Sequence, residues 1–149
     1  MDVIKIRDED KENYIDMLLL ADEQESMINK YLYRGEVFVL CDSGVKSICV
    51  VTKESSYSYE IKNIATDPQH RGKGYGRFLI EFVINHYKDV GDTLYVGTGD
   101  SLDILNFYGG CGFSRSHIVK NFFTDNYDHP IYDNGNLLTD MVYLKMALK

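Results

Sequence analysis

The chain has 149 residues, with 16 Lys plus Arg against 23 Asp plus Glu, a formal charge of −7, and 44% hydrophobic and 13% aromatic residues. That length suits one compact domain and excludes a multidomain machine, while the apolar share supplies a core and excludes a disordered chain. The acid excess argues against a protein that neutralises phosphates along a nucleic acid, which needs a clustered basic face. Met1 to Glu12 lacks a basic segment followed by an apolar run, so no signal peptide is expected. Met17 to Ala21 is far too short to span a membrane, and a cytoplasmic protein without a membrane partner is expected. Cys41, Cys49 and Cys111 have neither disulfide nor Cys-x-x-Cys spacing, and histidines at 70, 86, 117 and 129 have no ligand spacing, so no metal site is expected.

Val3, Ile4 and Ile6 predict a short first strand, followed by two short helices over Asn13 to Ala21 and Glu25 to Tyr33. Val37 to Leu40 and Val45 to Val51 flank Asp42-Ser43-Gly44, a hairpin pattern, and a third meander strand runs from about Tyr57 to Thr66 before Asp67-Pro68. Tyr75, Phe78, Leu79, Phe82, Val83 and His86 recur at helical spacing and predict a helix with one face on the core. Beyond Gly91 the pattern gives a strand over Thr93 to Val96, a helix over Ser101 to Tyr108, and a strand over Gly112 to Val119. A loop follows from Lys120 to Asp140, then a last strand over Met141 to Leu148. Strand, helix, strand in the middle implies one parallel pair inside an otherwise antiparallel sheet.

The chemistry concentrates between the third meander strand and the strong helix, in Asp67-Pro68-Gln69-His70-Arg71-Gly72-Lys73-Gly74-Tyr75-Gly76. Alternate glycines let several amide N–H groups converge on one anion at a helix N-terminus, and Arg71, Lys73 and Arg77 make a basic patch in an acidic chain. The loop is not a Walker A motif, because position 67 is Asp and Lys73 is followed by Gly74 rather than a hydroxyl residue. Nor is it a dinucleotide fingerprint, whose third glycine would fall on Arg77 or Leu79. A loop that merely caps the helix stays open as the simpler reading.

Arg71-x-x-Gly74-x-Gly76, set between a strand and a long amphipathic helix, resembles the pyrophosphate loop of the GNAT superfamily of N-acetyltransferases, and Asn106-Phe107-Tyr108-Gly109-Gly110-Cys111-Gly112-Phe113 resembles a second signature of that family. The resemblance implies an α/β (α+β) fold, the acyl-CoA N-acyltransferase fold. This is a mixed, mostly antiparallel sheet of about six to seven strands with a parallel splayed pair, flanked by about four helices. It implies acetyl-CoA as cosubstrate and transfer of its acetyl group to a primary amine. Backbone groups of Ile64, Ala65 and Thr66 would then meet the pantetheine arm and the oxyanion. Amides from Arg71, Gly72, Lys73, Gly74, Tyr75 and Gly76 would hold the pyrophosphate, with help from Arg77, and Asn106 would touch the carrier from the next helix.

Direct attack needs a neutral amine and a proton for the departing thiolate. The family position of Tyr108 implies the acid, against the alternative of a packed core aromatic. Glu60 is the candidate base: strand alternation puts it on the side of Ile64, four residues on, although an exposed strand carboxylate would look the same. The 120–140 loop mixes aromatics with acids, and Asp125, Tyr127 and Asp128 are candidate acceptor-binding residues, suited to a cationic amine. A solvated loop over the core edge is the competing reading. Two other functions are expected alternatives, an acetyltransferase for protein N-termini or lysines and a non-catalytic acyl-CoA sensor. The chain is expected to act as a monomer or homodimer without nucleic acid.

Overall fold

The computed structural model describes residues 1–149. The strands are β1 (Asp2–Lys5), β2 (Glu36–Cys41), β3 (Val45–Lys53), β4 (Ser58–Thr66), β5 (Thr93–Thr98), β6 (Ser114–Val119), β7 (Tyr132–Asp133), β8 (Asn136–Leu137) and β9 (Met141–Ala147). The helices are α1 (Ile15–Leu18), α2 (Glu25–Ile28), α3 (Tyr75–Tyr87), α4 (Leu102–Gly110) and α5 (Phe122–Asn126). The main sheet has seven strands in the order β1-β2-β3-β4-β5-β9-β6, antiparallel except for β4 and β5. No helix is long and apolar enough to cross a membrane.

The meander forms where the sequence alternates, and its first turn needs positive φ at Ser43 and Gly44, at 54° and 109°. One face of β2, β3, β4, β5 and β9 packs under α3: Leu79, Ile80 and Val83 meet Leu40, Val51, Ile61, Leu94 and Leu144, all nearly inaccessible. Val37, Val39, Ile48, Val50 and Ala65 on the opposite face pack on Leu18, Ile28 and Leu32 from the α1–α2 region. Each such buried aliphatic contributes about 1.5–3 kcal/mol, so these two layers fix the strands that carry the site.

The two helices expected after β1 are shorter than their apolar spacing suggests. A 3₁₀ segment over Asp8–Tyr14 precedes a single turn at α1, and α2 continues beyond Ile28 only as turns toward Gly35. The turns after α2 end against Lys11, which is 2% exposed. Its Nζ donates to the carbonyls of Leu32 at 3.1 Å and Gly35 at 2.7 Å and pairs with Asp8 at 2.8 Å, so the side chain terminates the turns after α2.

The 120–140 segment is not a featureless loop. It contains α5 and the small β7-β8 hairpin, gathered around Phe123, Ile131 and Leu138.

Two irregularities in β4 position the site. Pairing with β5 runs only from Ser58↔Thr93 to Ile61↔Val96, although β4 continues to Thr66 and β5 to Thr98, so the parallel strands part beyond that rung. On its other edge β4 pairs Val51 with Ile61 but Val50 with Asn63, which leaves Lys62 as the extra residue of a β-bulge.

Candidate active site

A cavity of about 900 Å³ opens from the gap between β4 and β5 and is walled by α4, the α1–α2 connection and the 120–140 segment. At one end lies the glycine loop. Gly72 and Gly74 have φ of 76° and 84°, a conformation in which an L side chain is strained, and this turns the amides outward ahead of α3. No amide N–H from Arg71 through Arg77 donates to another group of the chain; the neighbouring amides at Gln69, His70 and Phe78 are satisfied by Asp67 and Gly74. A run of unpaired donors at a helix N-terminus, with Arg71 and Lys73 exposed beside it, has the chemistry to hold a phosphate anion.

The tyrosine of this loop has its own task. Tyr75 Oη donates to Asp42 at 2.7 Å and ties the start of α3 to the β2–β3 turn, so Tyr75 offers a ligand only its amide. Arg77 is likewise engaged, donating to the Gly110 carbonyl at 3.1 Å and lying 3.5 Å from Glu81.

Ile64, Ala65 and Thr66 line the cavity on the β4 side of the gap, and Val96, Gly97 and Thr98 line it on the β5 side. Gly97 is required there: a Cβ would sit 2.5 Å from Met141 Sδ and 3.1 Å from Tyr143 Cζ. α4 turns Asp103, Ile104, Phe107 and Tyr108 toward the cavity. Asn106, on the same helix, is exposed and lies outside the cavity lining.

Tyr108 is 7% exposed, lines the cavity and has no hydrogen-bond partner in the chain. Burial pushes its phenol well above the usual range, so the hydroxyl stays protonated and free to donate. Packing against Phe107 and Phe113 fixes the ring, so a core aromatic and a cavity-lining hydroxyl coexist in one residue.

Glu60 also lines the cavity, but not for the expected reason. The bulge at Lys62 breaks the alternation, so Glu60 does not share a face with Ile64. Ile61 and Ile64 pack with the α3 side, whereas Ala65 packs on the α1–α2 side and Asn63 donates to the Leu18 carbonyl there. Glu60 belongs to that second face, 7% exposed rather than an open strand carboxylate. Burial raises its pKa from the usual carboxylate value, opposed by the Lys62 ammonium at 3.1 Å and by Tyr143, whose hydroxyl donates to Glu60 at 3.3 Å.

At the opposite wall Tyr127 lines the cavity, while Asp125 and Asp128 are exposed and lie outside it. Carboxylates that do line this wall are Asp22 and Glu23, from the α1–α2 connection, and Asp133, from β7; of these Asp22 is the one held by hydroxyl donors. It accepts the Tyr31 hydroxyl at 2.8 Å and the Tyr127 hydroxyl at 2.6 Å. Sequence reasoning passed over Asp22, Tyr31, Asn63 and Tyr143, because each is an isolated polar residue in a stretch whose apolar spacing reads as core.

Comparison with known proteins agrees with this architecture. Residues 33–115 match the model of the acetyltransferase (GNAT) domain. The chain is 34% identical over 148 residues to an uncharacterized N-acetyltransferase, YvbK, of Bacillus subtilis, covering 97% of this chain and 96% of that protein. Among solved structures, an IAA acetyltransferase from Bacillus cereus superposes with a TM-score of 0.91 at 32% identity, over 98% of each chain. A GNAT family acetyltransferase from Elizabethkingia anophelis, with acetyl-CoA bound, gives 0.91 at 34% identity, over 98% of this chain and 97% of that one. The chain belongs to the GNAT family of acetyltransferases. Its unpaired loop amides and parted strands fit acetyl-CoA as the cosubstrate.

Proposed function

We propose that the protein transfers the acetyl group of acetyl-CoA to the primary amine of a small cationic molecule by direct attack. The observation that carries this reading is the continuity of one cavity: the gap between β4 and β5, the Tyr108 hydroxyl and the carboxylates of Glu60, Asp22 and Glu23 all face it. Donor and acceptor thus meet without a covalent enzyme intermediate, and the acceptor end carries negative charge suited to an ammonium ion.

In this mechanism the pyrophosphate lies on the amides of Arg71 through Gly76, and the pantetheine arm lies along Ile64 to Thr66. The amine nitrogen bonds to the thioester carbon, and the carbon–sulfur bond breaks as the tetrahedral intermediate collapses. Glu60, directly or through a water, takes the proton that the nitrogen loses. Tyr108 gives its proton to the departing thiolate, and backbone N–H groups near Ala65 receive the oxyanion. Burial makes Glu60 a stronger base than an exposed carboxylate, and Tyr108 is protonated and without a partner in the chain, free to donate to the thiolate.

Release of free thiol from acetyl-CoA against a panel of amines and peptides tests the proposal. Turnover on small cationic amines is expected. Turnover confined to peptide N-termini or lysines would replace the acceptor class, and tight CoA binding with no turnover on any acceptor would leave a sensor.

A further inference from the structure

We propose that Asp22 anchors a second cationic group on the acceptor, so that the preferred substrate is a primary amine carrying another positive charge rather than a simple monoamine. This deepens the transferase reading above and rests on it.

Three separate elements converge on the Asp22 carboxylate. Tyr31, in the turns after α2, donates to Oδ2, and Tyr127, just beyond α5, donates to Oδ1. Asn63, from the β4 bulge, donates through Nδ2 to the Tyr31 oxygen at 3.1 Å and to the Leu18 carbonyl at 3.0 Å. The Leu18 carbonyl can only accept, which fixes the Asn63 amide with its nitrogen on that side. Every proton in this network is therefore taken by Asp22, by the Tyr31 oxygen or by the backbone, and none is left facing the cavity.

Such a carboxylate is a binder rather than a base. Each of its oxygens accepts a hydroxyl hydrogen bond from the wall, which fixes the carboxylate in place to face a cation. It is also half-buried in an aromatic wall that includes Tyr31, Phe122 and Tyr127, where an ammonium ion gains more than in open water. Asn63 supplies an independent sign of a missing donor. It is 4% exposed and lines the same cavity, and its Oδ1 is buried without any hydrogen-bond partner. This wall is thus rich in acceptors and short of N–H groups, the complement of an alkylammonium. Lys30 is the one cation of the wall outside any ion pair, and it is exposed.

The second charge is distinct from the attacking nitrogen. The nitrogen has to be neutral beside Glu60, whereas Asp22 reaches β4 only through Tyr31 and Asn63, three residues along from Glu60. Glu60 and Asn63 are on the order of 10 Å apart along the strand, a scale that a flexible aliphatic spacer between two amines can match.

The test compares kcat/KM of the intact protein for an α,ω-diamine and for the alkylamine of the same chain length, in the parent and in Asp22→Asn, with CoA affinity as the check on folding. The parent is expected to favour the diamine, and Asp22→Asn to lower that preference about tenfold or more, mainly through KM. Tyr127→Phe removes one hydroxyl while keeping the ring; it is expected to lower the preference in the same direction by a smaller factor, and it carries the test if Asp22→Asn does not bind CoA. A parent that turns over both amines without preferring the diamine, or a preference unchanged in the variants, overturns the role of Asp22 and leaves the transferase standing. Absence of turnover on every amine takes both readings down.

Discussion

The ammonium of Lys62 lies 3.1 Å from the carboxylate of Glu60 because Lys62 is the extra residue of the β4 bulge, inserted between the rungs Val51↔Ile61 and Val50↔Asn63. The bulge thus does two things at once: it brings a cation to a buried acid, and it turns Asn63 and Ala65 onto the face that Glu60 occupies. Burial and the Lys62 charge act in opposite directions on Glu60, and burial is the stronger.

The rate is expected to follow from that balance. In the proposed mechanism Glu60 works as a carboxylate, so activity is expected to appear as pH rises through its raised pKa. Lys62→Met removes the opposing charge and is expected to move the acid limb of the kcat/KM profile to higher pH. Glu60→Gln is expected to lower kcat by about 10²-fold or more. Initial rates across pH 5 to 9, roughly the range a displaced carboxylate and an amine would span, check both. An unmoved limb in Lys62→Met would detach Glu60 from that ionisation.

Tyr108→Phe removes one oxygen that makes no bond within the chain and keeps the ring that packs on Phe107 and Phe113. It is expected to lower kcat by about 10²-fold with little change in the KM for acetyl-CoA. Steady-state kinetics decide this, and an unchanged kcat removes Tyr108 from the proton transfer.

At Gly74 a Cβ would meet nothing within 4 Å, so the constraint is the backbone angle of 84° and the phosphate expected beside it. Gly74→Ala is expected to destabilise the loop by about 1 kcal/mol. Gly74→Asp adds a negative charge and is expected to weaken CoA binding by about tenfold or more. Calorimetric titration with CoA separates the two effects, and equal affinities for all three proteins would count against the loop as the phosphate site.

Lys11→Met is expected to destabilise the fold by about 1–3 kcal/mol, because the Leu32 and Gly35 carbonyls lose their buried donor. The released partner Asp8 is 80% exposed and returns to water at little cost. A shift of the urea midpoint without a change in slope is the expected readout.

The long periodic elements were legible in the sequence. α3 declared itself through Tyr75 to His86, the meander through its alternation, and the anion loop through glycines that the structure places at positive φ. What escaped was short or irregular. α5 has five residues, too few to show a helical period, and the Asn134-Gly135 turn of the β7-β8 hairpin, with φ of 50° and 78°, joins strands of only two residues each. The bulge at Lys62 leaves no mark in composition, yet it reverses the face of every β4 residue beyond it relative to simple alternation. Asp22 was hidden for a different reason. A lone acid in a helix connection resembles any solvated one until Tyr127, 105 residues away, is seen to reach it.

The early end of the β4–β5 pairing has a mechanical side. β1 to β4 form one leaf and β5, β9 and β6 another, and the leaves share only the short seam from Ser58↔Thr93 to Ile61↔Val96. In the proposed binding mode a carrier arm hydrogen-bonded in the wedge beyond Ile61 would be a stitch between the leaves as well as a bound reactant. Heat resistance is then expected to rise with cosubstrate occupancy, through the same few ångströms of sheet.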